Sequence, residues 1–219
     1  MKTPITKQRL RNHLAYGWWK YALLFVLAIA GWNIIYTVTR YRAPEDKKVV
    51  VNLYVYGSQQ ALNDYMADVN TNQMPEMEEM NCLLTTMDDM YGDMILSTHL
   101  AASEGDVYLL DRTHFQQCAA SGAFLPLEDQ TELVAMLEEA GVSLSQGWRT
   151  ESESGEKHLY GIPCAALPGM AAYVFDPSDC YMAVLISNQN DENVLRFLNI
   201  FVSDLLAPIE EAPTEEAAP

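Results

Sequence analysis

The sequence lacks the short motifs that mark the common hydrolases, metalloproteases and nucleotide-binding enzymes. It has no G-x-S-x-G nucleophile elbow, no H-E-x-x-H zinc motif and no glycine-rich phosphate loop. Its carboxylates are scattered and form no recognisable acid–base pair. We therefore predict a protein that is not an enzyme and that uses no cofactor or metal.

Acidic residues are missing from positions 1–44, and basic residues are scarce after them. Residues 45–219 hold all 30 acids against 6 Lys and Arg, which leaves this part with a net charge of −24. Such a domain repels nucleic acid and anionic lipid at ordinary salt. The pattern is typical of a solvated acidic surface, and binding of cations or basic partners is the alternative interpretation.

No charge occurs from Tyr21 to Val38, a run of 18 residues. The run is long enough to cross a bilayer, and aromatic residues flank it as they do at membrane interfaces. A cleaved signal peptide is the alternative, because Ala28 and Ala30 have the spacing of a cleavage site. Apolar residues continue past that site, which favours a retained anchor.

This run divides the chain into predicted segments. They are a cytoplasmic basic segment (1–20), a transmembrane helix (21–38), a linker (39–48), a folded domain (49–206) and a disordered acidic tail (207–219). Basic residues are slightly more numerous on the N-terminal side of the run. We therefore predict a single-pass protein of the cell membrane with a cytoplasmic N-terminus and an extracytoplasmic acidic domain.

The folded domain has the pattern of an α/β protein. Its apolar run at 107–110 lies between Asp106 and Asp111 and predicts a short strand buried on both faces of a parallel sheet. Asp111 or Thr113 can cap the helix that follows, and Gly122 stands where that helix should end. A first strand over 49–56, a turn at 57 and a helix capped by Ser58 give the same order, so we predict a mostly parallel sheet with flanking helices.

Two groups of residues have side chains that could bind a metal ion through sulfur or nitrogen. The methionines of MPEMEEM (74–80), with Cys82 beyond them, have the chemistry that Cu(I) prefers, but methionine also fills irregular gaps in cores. His114 and Cys118 lie one helical turn apart, and with His99 they form a weak zinc pattern. We favour core methionines and helix-surface histidines.

Three blocks of the domain resemble bacterial extracellular solute-binding proteins, the substrate-capturing components of ABC importers. The first is the opening strand, turn and helix. The second is a DV-apolar-D strand at 106–111, followed by a helix, a glycine and the LPL-acidic turn at 125–128. The third is YGIP at 160–163 with the strand at 181–187 and the helix at 191–206. In that family a second lobe follows the YGIP strand, so this chain resembles a single lobe of the periplasmic-binding-protein type.

The resemblance implies a ligand cleft and two possible functions. It places Tyr56, Ser58, Gln59, Asp111 and Arg112 on the cleft side. In one interpretation the domain captures a sugar or peptide for ABC transport. In the other it is a non-enzymatic, membrane-tethered interaction or regulatory module that docks to an ABC transporter or another envelope protein. Capture predicts a polar cleft at the strand ends, and interaction predicts an exposed apolar patch.

Cysteine usage leaves the redox state open. Four cysteines in an exported domain permit three pairings. Cys82 and Cys118 fall on apolar faces and resemble buried small hydrophobes. Cys164 and Cys180 flank the shortened segment that replaces the second lobe, and we hypothesise a disulfide between them.

Overall fold

The computed structural model describes residues 7–85, 91–186 and 190–207. The chain divides into two units, residues 1–42 and residues 43–219. The predicted disordered tail beyond Ala207 lies outside the described residues.

The first unit contains one long helix, α1 (Lys7–Thr39). Its stretch Gly17–Thr39 has a mean hydropathy of 1.9, and by length and composition it could cross a membrane or serve as a signal sequence. The hydroxyls of Thr37 and Thr39 donate to carbonyl oxygens one turn back, at 2.8 and 2.7 Å, which satisfies them inside the helix as a lipid environment requires. The predicted helix is confirmed, and its place in a membrane stays a prediction.

The second unit opens with strands and helices in alternation. Its elements are β1 (Lys48–Leu53), α2 (Gln59–Asn72), β2 (Glu79–Leu84), α3 (Gly92–Ala102), β3 (Val107–Asp111) and α4 (Arg112–Ala120). β1 pairs in parallel with β2 on one side and with β3 on the other, so that Val51 faces Cys82 and Val107. The apolar run at 107–110 is buried on both faces, as its sequence predicts.

The later elements complete the sheet. They are α5 (Thr131–Glu139), β4 (Trp148–Thr150), β5 (Lys157–Leu159), β6 (Ile162–Pro163), β7 (Cys180–Val184) and α6 (Asp191–Leu206). The main sheet has the order β2-β1-β3-β7-β6, and β4 and β5 form a separate hairpin. Only β7 runs against its neighbours in the described sheet. The predicted α/β fold with a mostly parallel sheet and flanking helices is confirmed.

Helices cover both faces of this sheet, because alternate residues of a strand point to opposite sides. On one face Val107 and Leu109 of β3 belong to a core that also contains buried residues of α2, α5 and α6. On the other face Tyr108 and Leu110 belong to a second, aromatic core. The latter includes buried residues of α3 and α4 together with Phe124 and Tyr181.

The structure differs from the sequence prediction at the end of the first strand. β1 ends at Leu53 rather than at Tyr56. Beyond Leu53 the backbone turns to pair with a distant segment, since the N–H of Phe175 donates to the carbonyl oxygen of Tyr56 at 3.0 Å and Gly57 bridges to Val174. A partner so far along the chain leaves no trace in local sequence pattern.

Candidate functional site

The parallel strands β1, β2 and β3 end at one edge of the sheet, which we call the carboxyl edge. Open α/β sheets bind their ligands outside this edge. All five residues of the predicted cleft lie there, because Tyr56, Ser58 and Gln59 follow β1 while Asp111 and Arg112 follow or end β3. The structure therefore brings the predicted site residues to a common edge.

Ser58 and Gln59 use their polar atoms within the fold. Ser58 Oγ accepts from the N–H of Ala61 at 3.2 Å and caps α2. Gln59 Nε2 donates to the carbonyl oxygen of Cys82 at 2.8 Å, and Asn63 Oδ1 accepts from the N–H of the same residue at 2.7 Å. The two side chains thus hold the outer edge of β2, which the sequence did not indicate.

Asp111 has a capping role and also orients a histidine. Its Oδ1 accepts from the N–H groups of Thr113 and His114 at 2.8 and 3.1 Å. Its Oδ2 bonds His114 Nδ1, while His114 Nε2 lies 2.8 Å from Asp93 Oδ1. Burial opposes the charged imidazole, but the bonds to Asp111 and Asp93 prevail and raise the pKa of His114. This carboxylate–imidazole–carboxylate chain ties the first turn of α3 to the first turn of α4.

Arg112 joins a column of stacked groups behind the carboxyl edge. Its Nε lies 3.2 Å from Asp179 Oδ1, and its guanidinium is 6.0 Å from the centre of the Tyr181 ring. Tyr181 stacks in parallel on Phe115 with 4.7 Å between centroids, and Arg149 lies 5.6 Å from the centre of the Phe115 ring. Arg112 therefore lies at one end of this stack, in contact with the Tyr181 ring and paired with Asp179.

Two aromatic side chains, Tyr56 and Phe175, stand out on the carboxyl edge, and we call them the edge pair. Their side chains are 58% and 75% exposed. The chain brings them together through the Phe175–Tyr56 backbone bond and through a 2.8 Å bond from the N–H of Ser58 to the carbonyl oxygen of Tyr173. A side chain at Gly57 would collide with that carbonyl oxygen, so the close approach requires glycine. Phe175 was missed from the sequence, because its neighbours gave no strand or helix pattern.

A cavity of about 410 Å³ lies between α3 and α4. Its lining mixes polar and apolar side chains, namely Asp93, Leu96, Ser97, Leu100, His114, Gln117, Cys118 and Ser121. His114 and Cys118 do meet here, but His99 does not line the cavity and its Nδ1 instead lies 2.6 Å from the Tyr54 hydroxyl. Within the described ranges, no three His, Cys, Asp or Glu residues are grouped so that they could hold a metal.

The methionines and cysteines of the sequence belong to the interior. Met74, Met77 and Met80 are buried in the core with Cys82, where they fill space as apolar side chains. Burial, followed by the charge of Asp111, raises the pKa of the Cys118 thiol to about 11. All four cysteines are buried and carry free thiols.

Cys164 and Cys180 lie next to each other, although they are 16 positions apart. Cys164 Sγ donates to the carbonyl oxygen of Ile162 at 3.9 Å, and burial, followed by the neighbouring Cys180, raises the pKa of Cys164 well above its ordinary range. The fold therefore brings the predicted pair together. The disulfide itself stays a prediction.

No family model and no curated protein matches this chain. Several of the solved structures that match are solute-binding proteins, the family that the sequence resembles. A family 1 extracellular solute-binding protein from Alicyclobacillus acidocaldarius is 16% identical over 56% of this chain and 29% of its own, with a TM-score of 0.40. An ABC substrate-binding protein from Listeria monocytogenes in complex with cycloalternan is 16% identical over 52% of this chain and 28% of its own, with a TM-score of 0.39.

A third match is the N-glycan transport solute-binding protein from Streptococcus pneumoniae in complex with Man5GlcNAc. It is 15% identical over 53% of this chain and 24% of its own, with a TM-score of 0.37. The matched part of this chain thus spans 24% to 29% of these proteins.

Proposed function

We propose that the chain is a non-enzymatic, membrane-tethered binding module, built like one lobe of an ABC solute-binding protein, that docks a protein partner with its carboxyl edge. The partner that fits this proposal is a component of an ABC importer or another extracytoplasmic envelope protein. The sequence resemblance supports the family, and the uncharged run in α1 supports the tether. A tethered domain meets membrane partners at a high effective concentration.

The exposure of the edge pair is the observation that favours docking. The rings of Tyr56 and Phe175 face solvent, whereas a small-molecule site encloses most of its ligand. Exposed aromatic residues that lie side by side are typical anchors of protein interfaces. Ser58 Oγ and Gln59 Nε2, which a solute would use, are already bonded within the fold.

Charge defines the partner further. The region after residue 44 carries a net charge of −24, so its field attracts a partner surface with basic residues and accelerates the encounter. Nucleic acid and anionic lipid are repelled by the same field. We therefore expect a partner face with an apolar centre and a basic rim.

A photo-crosslinking side chain placed at position 175 of the full chain tests docking in intact cells. We expect a discrete crosslinked product whose second member is an envelope protein or importer subunit, and we expect Tyr56→Ala to remove it. The same side chain at exposed Asp129, in the turn before α5, is the matched control. Equal products from both positions, or none from position 175, would contradict docking through the edge pair.

Capture of a small solute is the second candidate, and the Arg112–Asp179 pair favours it. An arginine and a carboxylate on the same sheet edge as the exposed Tyr56, where α/β sheets bind ligands, would provide hydrogen bonds and a stacking surface for a sugar. Thermal melts of the full chain in detergent with a panel of sugars and oligopeptides test this function. A ligand at 100 times its Kd adds about 2.7 kcal/mol of stability. A shift that Tyr56→Ala abolishes would favour capture over docking.

A further inference from the structure

A second cavity lies away from the carboxyl-edge residues Asp111 and Arg112, between α2, the turn at 168–172 and α6. Its volume is about 180 Å³, and it is lined by aromatic rings, small residues and one carboxylate. The turn reaches α6 closely because Gly169 has no side chain, since a Cβ there would lie 2.9 Å from the Cα of Leu205. The backbones of the turn at 168–172 and of α6 therefore lie close together on one side of the cavity.

Three aromatic rings from different parts of the chain meet at this cavity. Tyr65 comes from α2, Tyr173 from the segment after the turn, and Phe201 from α6. Their centroids are 5.6 Å apart for Tyr65–Tyr173, 5.2 Å for Tyr65–Phe201 and 5.8 Å for Tyr173–Phe201, and the rings are tilted by 41° to 60° to one another. Rings in mutual contact at such angles hold one another in position.

A carboxylate stands beside the rings. The Tyr65 hydroxyl donates to Asp204 Oδ2 at 2.7 Å. No lysine, arginine or histidine of the described residues pairs with Asp204, although most described cations of the acidic unit have a carboxylate partner. Burial, followed by the bond to Asp204, raises the pKa of Tyr65, so the phenol stays neutral and keeps the proton that it donates.

We propose that this cavity, which we call the aromatic cavity, binds a compact organic cation of the quaternary ammonium class. Aromatic rings attract a cation within about 6 Å of the ring centre, and they attract it more strongly when water is excluded. Asp204 supplies the counter-charge. A strongly hydrated metal ion fits poorly, because the rings offer it no ligands and Asp204 alone offers too few. The volume of the cavity suits a compact cation rather than an oligosaccharide.

Choline is the probe, and 3,3-dimethyl-1-butanol is its neutral carbon analogue of nearly the same shape. The full chain is purified in a maltoside detergent that has no ammonium group, and binding is measured by calorimetry and by saturation-transfer NMR. We expect saturable binding of choline and at least tenfold weaker binding of the neutral analogue. Equal affinity for both, or no saturable binding of choline, would overturn the proposal.

Variants locate the site. Asp204→Asn keeps an acceptor for the Tyr65 hydroxyl and removes the charge, and Tyr173→Leu removes one ring but keeps its backbone bond to Ser58. We expect each to weaken choline binding at least tenfold. Asp129→Asn removes the same charge at an exposed position outside the cavity lining and should leave the affinity unchanged. If Asp129→Asn weakens binding as much as Asp204→Asn, the attraction is a diffuse field and the cavity is not the site.

This test is independent of the proposed docking function. Tyr56→Ala alters the carboxyl edge but no residue of the aromatic cavity, so choline binding should survive it. A failure of crosslinking at position 175 would therefore leave the aromatic cavity standing, and a failure of choline binding would leave docking standing.

Discussion

Asp106 is a partly buried carboxyl group whose ionisation opposes folding. Burial raises its pKa to about 6, while the N–H of Val50, which donates to Oδ2 at 2.8 Å, and the charge of Lys48 partly offset that rise. A pKa that is higher in the folded state than in the unfolded state means that the folded state binds the proton more tightly. The resulting stabilisation is fully present below about pH 4 and is lost as the pH rises through 6.

Asp106→Asn should therefore remove a pH dependence. We expect the free energy of unfolding of the wild type, relative to Asp106→Asn, to fall by about 2 kcal/mol between pH 4 and pH 7. Urea unfolding of both proteins across this range measures the difference and cancels the other titrating groups. Asp129→Asn, at an exposed position, is the control and should follow the wild type. A constant difference between wild type and Asp106→Asn would contradict the role of Asp106.

The second prediction for individual residues concerns the thiols of Cys164 and Cys180. If the acidic domain is exported, we predict that they form a disulfide, each sulfur losing its proton while two electrons pass to a disulfide of the oxidising exterior. Mass spectrometry of the denatured, unreduced full chain after alkylation should find Cys82 and Cys118 modified and the other two linked. Alkylation of all four would refute the pairing.

Among the elements, β2 is the edge strand that most needs protection. An open strand edge invites pairing with another chain. Gln59 and Asn63 lie one turn apart on α2 and occupy both backbone groups of Cys82 on that edge. This is why Gln59, which the sequence placed in a ligand cleft, serves the fold.

Asn63→Ala leaves the N–H of Cys82 without its partner. We expect a loss of about 1–3 kcal/mol in stability, the usual cost of an unsatisfied buried donor, and a tendency to self-associate. Melting temperature and light scattering of the full chain measure the two effects. Asn72→Ala, which removes an exposed amide bonded to Asp68 on the same helix, is the control. If both variants behave alike, the edge of β2 does not depend on Asn63.

An element can be predicted from the sequence when neighbouring residues determine it, and is missed when distant segments determine it. The helix at 191–206, taken from the family resemblance, has those bounds in the structure. Of the two predicted caps, Asp111 and Thr113, the structure uses Asp111, and a cap can be predicted because it needs only the next three residues. The β4–β5 hairpin and the Tyr56–Phe175 pairing were missed. Both depend on contacts between distant segments, which no local pattern records. The aromatic cavity was missed for the same reason, since its three rings come from positions 65, 173 and 201.

At the scale of the whole molecule, the division of charge predicts an orientation. Protease added to intact cells should remove the acidic domain, while a cytoplasmic marker protein survives. Protection of the domain until the membrane is ruptured would reverse the proposed topology. Fractionation of the same cells tests the signal-peptide alternative, because a cleaved chain would leave the membrane and would lack its first 30 or so residues.

The position of β1 has a mechanical consequence. The strand begins at Lys48, close behind the apolar helix, lies between β2 and β3, and leads to the carboxyl edge. Two side-chain amides at the start of α6 hold the beginning of β1. Asn190 Nδ2 donates to the carbonyl oxygen of Lys48 at 2.6 Å, and Asn193 Nδ2 donates to that of Asp46 at 3.0 Å. Tension between a docked partner and the membrane would run along β1, so its hydrogen bonds would share the load in shear instead of opening one after another. With the proposed tether and docking, the domain would therefore resist unfolding by a pull along β1.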